Sequence, residues 1–427
     1  MQYSFYKVGT FNDLLLCLQL ILQRKESKPM MRHSFIFLLF LKIFLSDQIA
    51  FAQQFGPFPI VKTGAEQTEK YLPQLKDKRI ALVVNATSYI NNTHLVDSLL
   101  SLGVNLKKIF APEHGFRGNA DAGSDISNSI DSITKLQIVS LYGNHKKPTA
   151  EDLENIDVVI YDIQDVGVRF YTYISTLQYV MEACGENKKQ LLILDRPNPN
   201  GWYIDGPLLE KKFESFVGMQ AIPIVYAMTP VEYALFLNGE KLLKDSVQCQ
   251  ITYVLCNGYD HSVKYILPRK PSPNLTNMTA VYLYPSTCLF EGTPLSVGRG
   301  TDRPFQIVGY PGSKIGKIYF TPHSKTGASY PVFANEQCKG IDLSIYNDGF
   351  FFEQKKIFLN WLIQFYLTYP DKSIFFTSYF DKLAGTEKLK TDIITGKSDF
   401  MIHQEWQPDL LKFKETRKKY LLYKDFE

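Results

Sequence analysis

The chain has 427 residues, of which 45% are hydrophobic, 14% aromatic and 21% charged. This balance is typical of a globular protein and excludes a disordered chain, a collagen and a coiled coil, and at ~100–200 residues per domain the length indicates two or three domains. The formal net charge is +4, and residues 1–52 carry +3 of it (six Lys or Arg minus three Asp or Glu). The rest is close to neutral, so neither nucleic acid nor an anionic membrane surface is favoured as the main partner.

The N-terminal residues have the features of a secretory signal peptide. A positively charged start at residues 31–33 (MRH) precedes an apolar run at residues 35–45 and the sequence AFA at residues 50–52. This is the order of a signal peptide and its cleavage site. The run is shorter than the ~20 apolar residues that a membrane span needs.

We therefore expect cleavage after Ala52 and an exported protein that is periplasmic or extracellular and has no membrane partner. Met30 or Met31 is the expected start of translation, with the residues before it upstream of the protein. Two alternatives stay open: an uncleaved N-terminal anchor, and an apolar stretch at residues 14–22 that belongs to the protein.

From Arg79 onward the sequence alternates short apolar runs with segments of helical periodicity. Strands are predicted at residues 79–85, 106–110, 137–142, 157–162, 191–194, 222–225 and 249–255. Helices are predicted at residues 93–103, from Thr149 onward, and at residues 173–184 and 230–237. This alternation is typical of an α/β domain, with a parallel sheet covered by helices on both faces.

The alternation gives way to a Pro-rich segment at residues 268–274. Aromatic and turn residues are more frequent after it, and helical patterns dominate after Lys355. We therefore predict an α/β domain at residues 53–275 and a second, smaller domain at residues 276–427.

Polar side chains gather directly after the predicted strands. Because ligands of open parallel sheets bind outside the carboxyl ends of the strands, we expect these side chains to line a site at one edge of the sheet. They are Asn85, Glu113, His114, Tyr142, Asp162, Asp165, Asp195 and Arg196.

Two loops carry the densest groups. Residues 112–118 (PEHGFRG) place a carboxylate, an imidazole and the guanidinium of Arg117 in a tight loop, which is either part of a site or a solvated surface turn. Residues 162–173 (DIQDVGVRFYTY) place two aspartates near Arg169. Such a group can hold a sugar hydroxyl or form a structural ion pair. Residues 195–201 (DRPNPNG) can bind a ligand, although Pro and Gly mark them first as a structured turn.

Beyond the predicted boundary, residues 296–303 (SVGRGTDR) can present backbone N–H groups and Arg299 to an anion, or form a tight interdomain turn. The sequence lacks the motifs of P-loop, dinucleotide, zinc and α/β-hydrolase sites, so we predict no cofactor and no metal. The five cysteines after residue 52 have no C-x-x-C spacing and are expected to be buried. Whether two of them form a disulfide is left undecided by the sequence. Carboxylates with aromatic residues and Arg suit glycoside hydrolysis, in which an acid protonates the leaving oxygen.

Eight ordered runs between residues 78 and 427 resemble the signature motifs of one family. The runs are PEHGFRG at 112–118, SLYG at 140–143, DIQDVGVRFYTY at 162–173, DRPNP at 195–199, PSPN at 271–274, FEGT at 290–293, GRGT at 298–301 and RKKYLLY at 417–423. The family is that of the exo-β-N-acetylmuramidases, once known as a conserved domain of unknown function.

The resemblance implies a Rossmann-like N-terminal domain without a nucleotide, a smaller C-terminal α+β domain and a cleft between them. It implies an exo-β-N-acetylmuramidase, a glycoside hydrolase that releases N-acetylmuramic acid from the non-reducing end of β-1,4-linked peptidoglycan fragments in cell-wall turnover. Muramic acid disaccharides or glycans are its expected binding partners.

The resemblance also implies that Glu113 is catalytic, and we expect it to act as the general acid. Asp162 and Asp165 are the further catalytic candidates, and we expect one of them to face the cleft. Candidate substrate-binding residues of the cleft are His114, Arg117, Tyr142, Arg169, Tyr171, Asp195, Arg196, Glu291, Arg299 and Thr301.

Two positions depart from the family pattern. Tyr226 and Ala227 stand where the family has His-Gly, and Val231 stands before Glu232 where the family has Gly. These departures concern substrate preference more than the reaction.

The second catalytic group remains open at this stage. A carboxyl ~5–5.5 Å from that of Glu113 indicates a retaining enzyme, and ~6.5–9.5 Å an inverting one. If both aspartates are locked in ion pairs with Arg169, participation of the substrate's acetamido group becomes the better account. For Arg299 we predict a bidentate bond to the lactyl carboxylate of the substrate.

Two other functions compete with the hydrolase. A non-catalytic peptidoglycan-binding protein would keep the cleft, but it needs no acid there. An exported esterase acting on cell-wall substituents needs a nucleophile, and no Ser stands in a recognisable setting.

Overall fold

A computed structural model describes residues 60–113, 115–117 and 129–427. The predicted signal peptide, its cleavage site and His114 lie outside these residues. The strands are β1 (Ile80–Val84), β2 (Tyr89–Ile90), β3 (Thr93–His94), β4 (Leu106–Ala111), β5 (Ser129–Ile130), β6 (Gln137–Ser140), β7 (Val158–Asp162), β8 (Gln190–Leu194), β9 (Gln250–Val254), β10 (Ile307–Tyr310), β11 (Ile318–Phe320) and β12 (Cys338–Asp342).

The helices follow the same chain order. They are α1 (Thr68–Leu75), α2 (Leu95–Ser101), α3 (Tyr173–Glu186), α4 (Pro230–Gly239), α5 (Met278–Thr287), α6 (Asp348–Gln354), α7 (Asn360–Thr368), α8 (Ser378–Ala384), α9 (Lys388–Ile394) and α10 (Asp399–Lys418). A short 3₁₀ helix, Cys288–Gly292, continues directly from α5.

Seven strands form one mixed sheet in the order β5-β6-β4-β1-β7-β8-β9. Neighbouring strands are parallel from β6 to β9, and β5 pairs antiparallel with β6 at the edge. The chain builds β1, β4 and β6 on one side and then returns to the other side of β1 for β7, β8 and β9. The expected Rossmann-like α/β fold is confirmed, and its crevice for ligands lies at the carboxyl ends of the strands.

Both faces of the sheet are buried, as β1 shows. Ala81 and Val83 belong to an apolar cluster that includes residues of α3, whereas Ile80, Leu82 and Val84 pack with residues of α1 and α2. All five residues of the strand are buried. A strand covered on both faces reads as an unbroken apolar run, which is why the sequence identifies it.

The helix predicted from Thr149 is wrong. The backbone N–H of Thr149 donates to Asp152 Oδ2 at 2.9 Å, and that of Asp152 donates to Thr149 Oγ1 at 3.1 Å, as at a helix start. Asn155 then adopts a left-handed backbone with φ 58°. This conformation ends a helix, so the segment forms turns and the chain enters β7 at once.

The strand predicted at residues 222–225 is also wrong. In the described part of the chain this segment makes isolated bridges through Val225, to Val168 and to Asp205. Its apolar side chains are buried because the segment crosses the core, not because it joins a sheet.

The C-terminal part combines helices α5–α10 with an antiparallel sheet in the order β10-β12-β11. Phe290, Phe365 and Trp406 of this part belong to the same apolar cluster as Ala81 of the large sheet. Residues 60–427 therefore form one compact unit. The boundary predicted near residue 275 falls between β9 and α5 and stays a prediction. Among the described residues, no helix is long and apolar enough to cross a membrane.

Candidate active site

A cavity of about 190 Å³ lies at the carboxyl end of the sheet. The loops after β4, β6 and β7 supply one side, and the segments around α5 together with α8 supply the other. The structure brings five of the predicted site residues to its wall: Glu113, Tyr142, Tyr171, Glu291 and Arg299.

Glu113 stands two residues after the end of β4, in a tight turn. Gly115 completes the turn with φ 73°, a backbone that favours glycine. The hydroxyl of Thr172, at the start of α3, donates to Glu113 Oε2 at 3.2 Å, and that of Tyr173 donates to the Glu113 carbonyl at 3.5 Å. The side chain is half-buried and reaches the cavity. The turn and the start of α3 thus place a carboxyl where a bound ligand can meet it.

Aromatic rings form much of the cavity wall. Tyr171 packs edge-on against Tyr173 and Tyr284 with ring centroids 4.9 and 5.9 Å apart, and Tyr284 packs against Phe305 at 4.9 Å. The Tyr171 hydroxyl donates to the carbonyl of Pro271 at 2.7 Å. Burial raises the pKa of Tyr171 and Tyr284 well above the usual value, so both hydroxyls stay protonated. The wall thus combines aromatic rings with polar groups, which suits a sugar.

Glu291 and Arg299 form an ion pair on the other side of the cavity. Arg299 Nε donates to Glu291 Oε1 at 2.5 Å, and the guanidinium lies 4.9 Å from the centre of the Phe305 ring. Burial lowers the pKa of Arg299 and is the largest single influence, but the charge and hydrogen bond of Glu291, together with the neighbouring Tyr284 and Cys288, raise it by more in sum, so the net change is upward and the guanidinium stays charged. A Cβ at Gly298 would lie 2.6 Å from a side-chain carbon of Ile307. The preceding residue must therefore be glycine for the loop to bring Arg299 inward.

Sequence reasoning missed part of the cavity wall. Nothing in the sequence indicated that Tyr284 and Tyr379 line a site. Both lie on helices, and a tyrosine on a helix usually packs in the core. Burial raises the pKa of Tyr379, and Glu291 and Glu113 are among the charges that raise it further. Its hydroxyl therefore stays protonated on the cavity wall. Thr172, Tyr173 and Asn274 fell inside quoted motifs but were assigned no role.

Asp162 lies behind the cavity wall, not on it. Arg196 Nε and Nη2 donate to its two oxygens at 2.5 and 2.8 Å, and the Asp162 side chain is fully buried. The predicted site residues Asp162 and Arg196 therefore neutralise each other, in a pair that joins the ends of β7 and β8.

Asp165 is buried as well and does not line the cavity. Its Oδ2 accepts hydrogen bonds from the Tyr226 hydroxyl and, at 2.6 Å, from the Gly167 N–H. Burial raises its pKa to about 6. The expectation that one of the two aspartates faces the cleft is thus wrong, because each already has a buried partner.

Arg169 does not pair with either aspartate, which corrects the grouping expected from the sequence. Its Nη1 donates to the carbonyls of Pro207 and Ile222 at 2.8 and 2.6 Å, and its Nη2 to those of Leu383 and Ala384 at 3.1 and 2.7 Å. The side chain is fully buried. Arg169 therefore fastens the loop after β7 to the end of α8.

Three more of the predicted site residues lie outside the cavity wall and bond to other segments. The Tyr423 hydroxyl donates to Asp195 Oδ2 at 2.6 Å, which ties the C-terminal segment to the end of β8. Arg117 pairs with Asp97 and Asp131. The Thr301 hydroxyl donates to the Gly298 carbonyl at 2.6 Å inside its own turn. These contacts occupy Asp195, Arg117 and Thr301 in holding loops together.

Among the described residues, no group of three or more His, Cys, Asp or Glu side chains is arranged to hold a metal ion. The described cysteines are buried as free thiols.

Two family models match the chain over most of its length. Residues 80–279 match the model described as exo-beta-N-acetylmuramidase NamZ, N-terminal, and residues 282–423 match its C-terminal counterpart. The two matches meet close to the boundary predicted from the Pro-rich segment.

Similar proteins and structures cover the same part of the chain. The peptidoglycan beta-N-acetylmuramidase NamZ of Bacillus subtilis (strain 168) is 38% identical over 387 residues, which are 86% of this chain and 92% of the relative. Two crystal structures of DUF1343 family proteins from Bacteroides fragilis NCTC 9343 match with TM-scores of 0.80 and 0.73, at 46% and 30% identity. Each match covers 86% of this chain, and 99% and 100% of the respective structures.

Proposed function

The chain belongs to the exo-β-N-acetylmuramidase family of glycoside hydrolases, and from this premise we propose that it releases N-acetylmuramic acid from the non-reducing end of β-1,4-linked peptidoglycan fragments. The observation that carries the proposal is the position of Glu113, half-buried on the wall of an aromatic cavity and held there by the Thr172 hydroxyl at 3.2 Å. An aromatic wall with one accessible acid is what protonation of a glycosidic oxygen needs.

In the proposed reaction Glu113 is the general acid. The Thr172 hydroxyl fixes Oε2, and the other carboxyl oxygen gives its proton to the glycosidic oxygen as the bond to the anomeric carbon breaks. The acid must be held in register with the leaving oxygen. The turn closed by Gly115 and the first residues of α3 provide this placement.

Arg299 binds the lactyl carboxylate of the muramic acid in this proposal. Glu291 occupies its Nε edge at 2.5 Å, which leaves the terminal Nη groups for a second carboxylate. A guanidinium presents several donors in a fixed plane, so one edge can be held while the other recognises substrate. Glu291 is then a positioning residue for Arg299.

The substrate's acetamido oxygen serves as the nucleophile, bonding to the anomeric carbon as the protonated leaving sugar departs. Water then attacks the anomeric carbon of the oxazolinium intermediate and gives a proton back to Glu113, which restores the acetamido group and releases N-acetylmuramic acid. Asp162 and Asp165 are buried behind the wall with partners of their own, and Glu291 is bound to Arg299. No aspartate among the described residues lines the cavity, so participation by the substrate replaces a carboxylate nucleophile, as some hexosaminidases do.

The deciding experiment is incubation with the disaccharide of N-acetylmuramic acid linked β-1,4 to N-acetylglucosamine. We expect equimolar release of the two sugars, and a Glu113→Gln protein that binds the disaccharide but releases almost nothing. Binding without release by the unaltered protein would favour the non-catalytic alternative. Removal of a substituent with the glycosidic bond intact would favour the esterase.

Export and a role in cell-wall turnover are part of the proposal. The support is the signal-peptide pattern before Gln53. N-terminal sequencing of the protein from its native cells, after fractionation, should find Gln53 as the first residue in the periplasm or the medium. A cytoplasmic protein that keeps residues 31–52 would contradict export.

A further inference from the structure

Residues 321–337, which connect β11 to β12, form a loop that is bonded to segments of the cavity wall; we call it the mouth loop. The backbone N–H of His323 donates to the Gly300 carbonyl at 3.0 Å. The Lys325 ammonium donates to the Thr301 carbonyl at 3.2 Å and to Asp302 at 2.7 Å. The loop is thus bonded to the turn that carries Arg299.

The mouth loop is bonded to a second segment of the cavity wall as well. Asn274 Nδ2 donates to the Gly327 carbonyl at 2.7 Å. A Cβ at Gly327 would lie 2.6 Å from the Pro273 Cβ, so the two segments touch. Because Asn274 lines the cavity itself, the loop is anchored to two separate segments of the cavity wall.

This anchored loop carries an exposed aromatic ring. Tyr330 is 97% exposed and Val332 is 51% exposed. Pro331, which lies between these two residues, packs closely on Gly300: a Cβ added at Gly300 would lie 2.8 Å from the Pro331 ring. Tyr330 is therefore held next to the turn that carries Arg299. Aromatic faces pack against the apolar faces of rings, and tyrosine does so at low entropic cost.

The cavity is small. Its volume is about 190 Å³, and the proposed function places one sugar inside it. An exo-acting enzyme places the sugar that it releases from the chain end inside, and the rest of the glycan extends out of the opening. The next sugar must therefore rest on whatever surface adjoins the opening.

We propose that the mouth loop is the binding site for the sugar on the reducing side of the cleaved bond, an N-acetylglucosamine pyranose, with Tyr330 as its platform. The inference rests on the proposed function. It adds a recognition surface for the leaving group, formed by a segment that lies outside the eight family runs.

The test compares two substrates that differ in the leaving group. One is the muramic acid disaccharide, and the other is the β-fluoride of N-acetylmuramic acid, whose leaving group cannot touch Tyr330. Tyr330→Ala should lower kcat/KM for the disaccharide by ~10-fold, the scale of one ring contact, and leave the fluoride within about 2-fold. Tyr330→Phe should keep the activity on both substrates.

Tyr319→Ala is the matched control. Tyr319 is a 61% exposed tyrosine of the neighbouring strand β11, and its removal should leave both substrates unaffected. Equal losses on both substrates, or no loss on the disaccharide, in Tyr330→Ala would overturn the role of the loop and leave the proposed function intact. Failure of the unaltered protein to cleave either substrate would overturn the proposed function and this inference together.

Discussion

Glu113 and Glu291 share one cavity but have different surroundings. A hydroxyl, that of Thr172, donates to Glu113 at 3.2 Å. Glu291 faces the guanidinium of Arg299 at 2.5 Å. A carboxylate that pairs with a guanidinium is occupied in positioning it, whereas a carboxyl held by a hydroxyl can meet the substrate. The surroundings, not the residue type, assign the roles of acid and of positioning group.

Replacement of Glu113 by Gln should lower kcat by at least ~100-fold, because the amide keeps the shape and the bond from Thr172 but has no acidic proton. Steady-state release of N-acetylmuramic acid measures the effect, and circular dichroism checks the fold. Glu240→Gln is the control, since that carboxylate bonds to Tyr420 on another part of the surface. Glu113→Gln activity close to wild type would remove Glu113 from catalysis.

Replacement of Arg299 by Ala should raise KM for muramic acid substrates by ~10-fold or more, and for glucosamine analogues much less, because only the former carry the lactyl carboxylate. Initial rates on the two substrate series give the comparison. Arg303→Ala is the matched control. Arg303 belongs to the same loop as Arg299, but it pairs with Asp342 of β12 and does not line the cavity. Equal changes in KM for both series would contradict the assignment.

The loop between β7 and α3 is the segment on which the cavity depends. It carries Tyr171 and Thr172 into the wall, and Arg169 fastens it to the carbonyls of Leu383 and Ala384 at the end of α8. The start of α8 contributes Tyr379 to the same wall. One buried guanidinium thus fixes two walls of the cavity relative to each other.

Replacement of Arg169 by Met should lower the free energy of unfolding by ~3–5 kcal/mol, since it leaves buried carbonyls without a donor. It should lower the activity too, because α8 loses its anchor. Urea unfolding followed by circular dichroism measures the stability. Arg79→Met serves for comparison: its partner Asp157 is on the surface, so a loss within ~1 kcal/mol is expected. Similar losses in the two variants would show that the carbonyl contacts add no stability.

At the scale of the whole molecule, two buried aspartates and one histidine hold protons that the unfolded chain would release. Burial raises the pKa of Asp165 to about 6 and that of Asp195 to about 7, whereas an unfolded Asp has a pKa near 3.9. Burial lowers the pKa of His403, but its bond to Asp205 and the nearby charges raise it more, so the net change is upward. Both effects have the same sign: the native state binds more protons, so the free energy of unfolding falls as the pH rises.

Thermal unfolding between pH 5 and pH 8 should therefore show a Tm that declines toward pH 8. Asp195→Asn should flatten this decline, since Asn cannot ionise and yet keeps an acceptor for the Val231 N–H and a partner for Tyr423. One such group changes the stability by at most ~1.4 kcal/mol per pH unit. Calorimetric scans of the two proteins at several pH values measure the difference. Parallel Tm curves would show that Asp195 does not titrate in this range.

The sequence by itself determined the sheet, the edge at which the site lies and the candidate acid. Unbroken apolar runs bounded by turn residues are typical of buried strands, and polar residues at their ends mark the carboxyl edge. The loop at residues 112–118 was a candidate because it combines Pro, Gly and three ionisable groups in seven residues, and the resemblance to the family pointed to Glu113 within it. The helix start at Thr149 was visible too, but the left-handed Asn155 that stops it was not, since Asn adopts both conformations.

The tertiary structure alone decided which charged groups meet. Asp162 and Arg169 lie seven positions apart in the sequence, yet Asp162 pairs with Arg196, 34 residues away, and Arg169 donates to carbonyls 214 and 215 residues away. A charged side chain binds the partner that packing brings within about 3 Å. Once a sheet has formed, the number of residues between two side chains in the sequence does not set the distance between them in space. The same packing joins Glu113 to Glu291 and Arg299 around one cavity, a contact between segments far apart in the chain that no local pattern could encode.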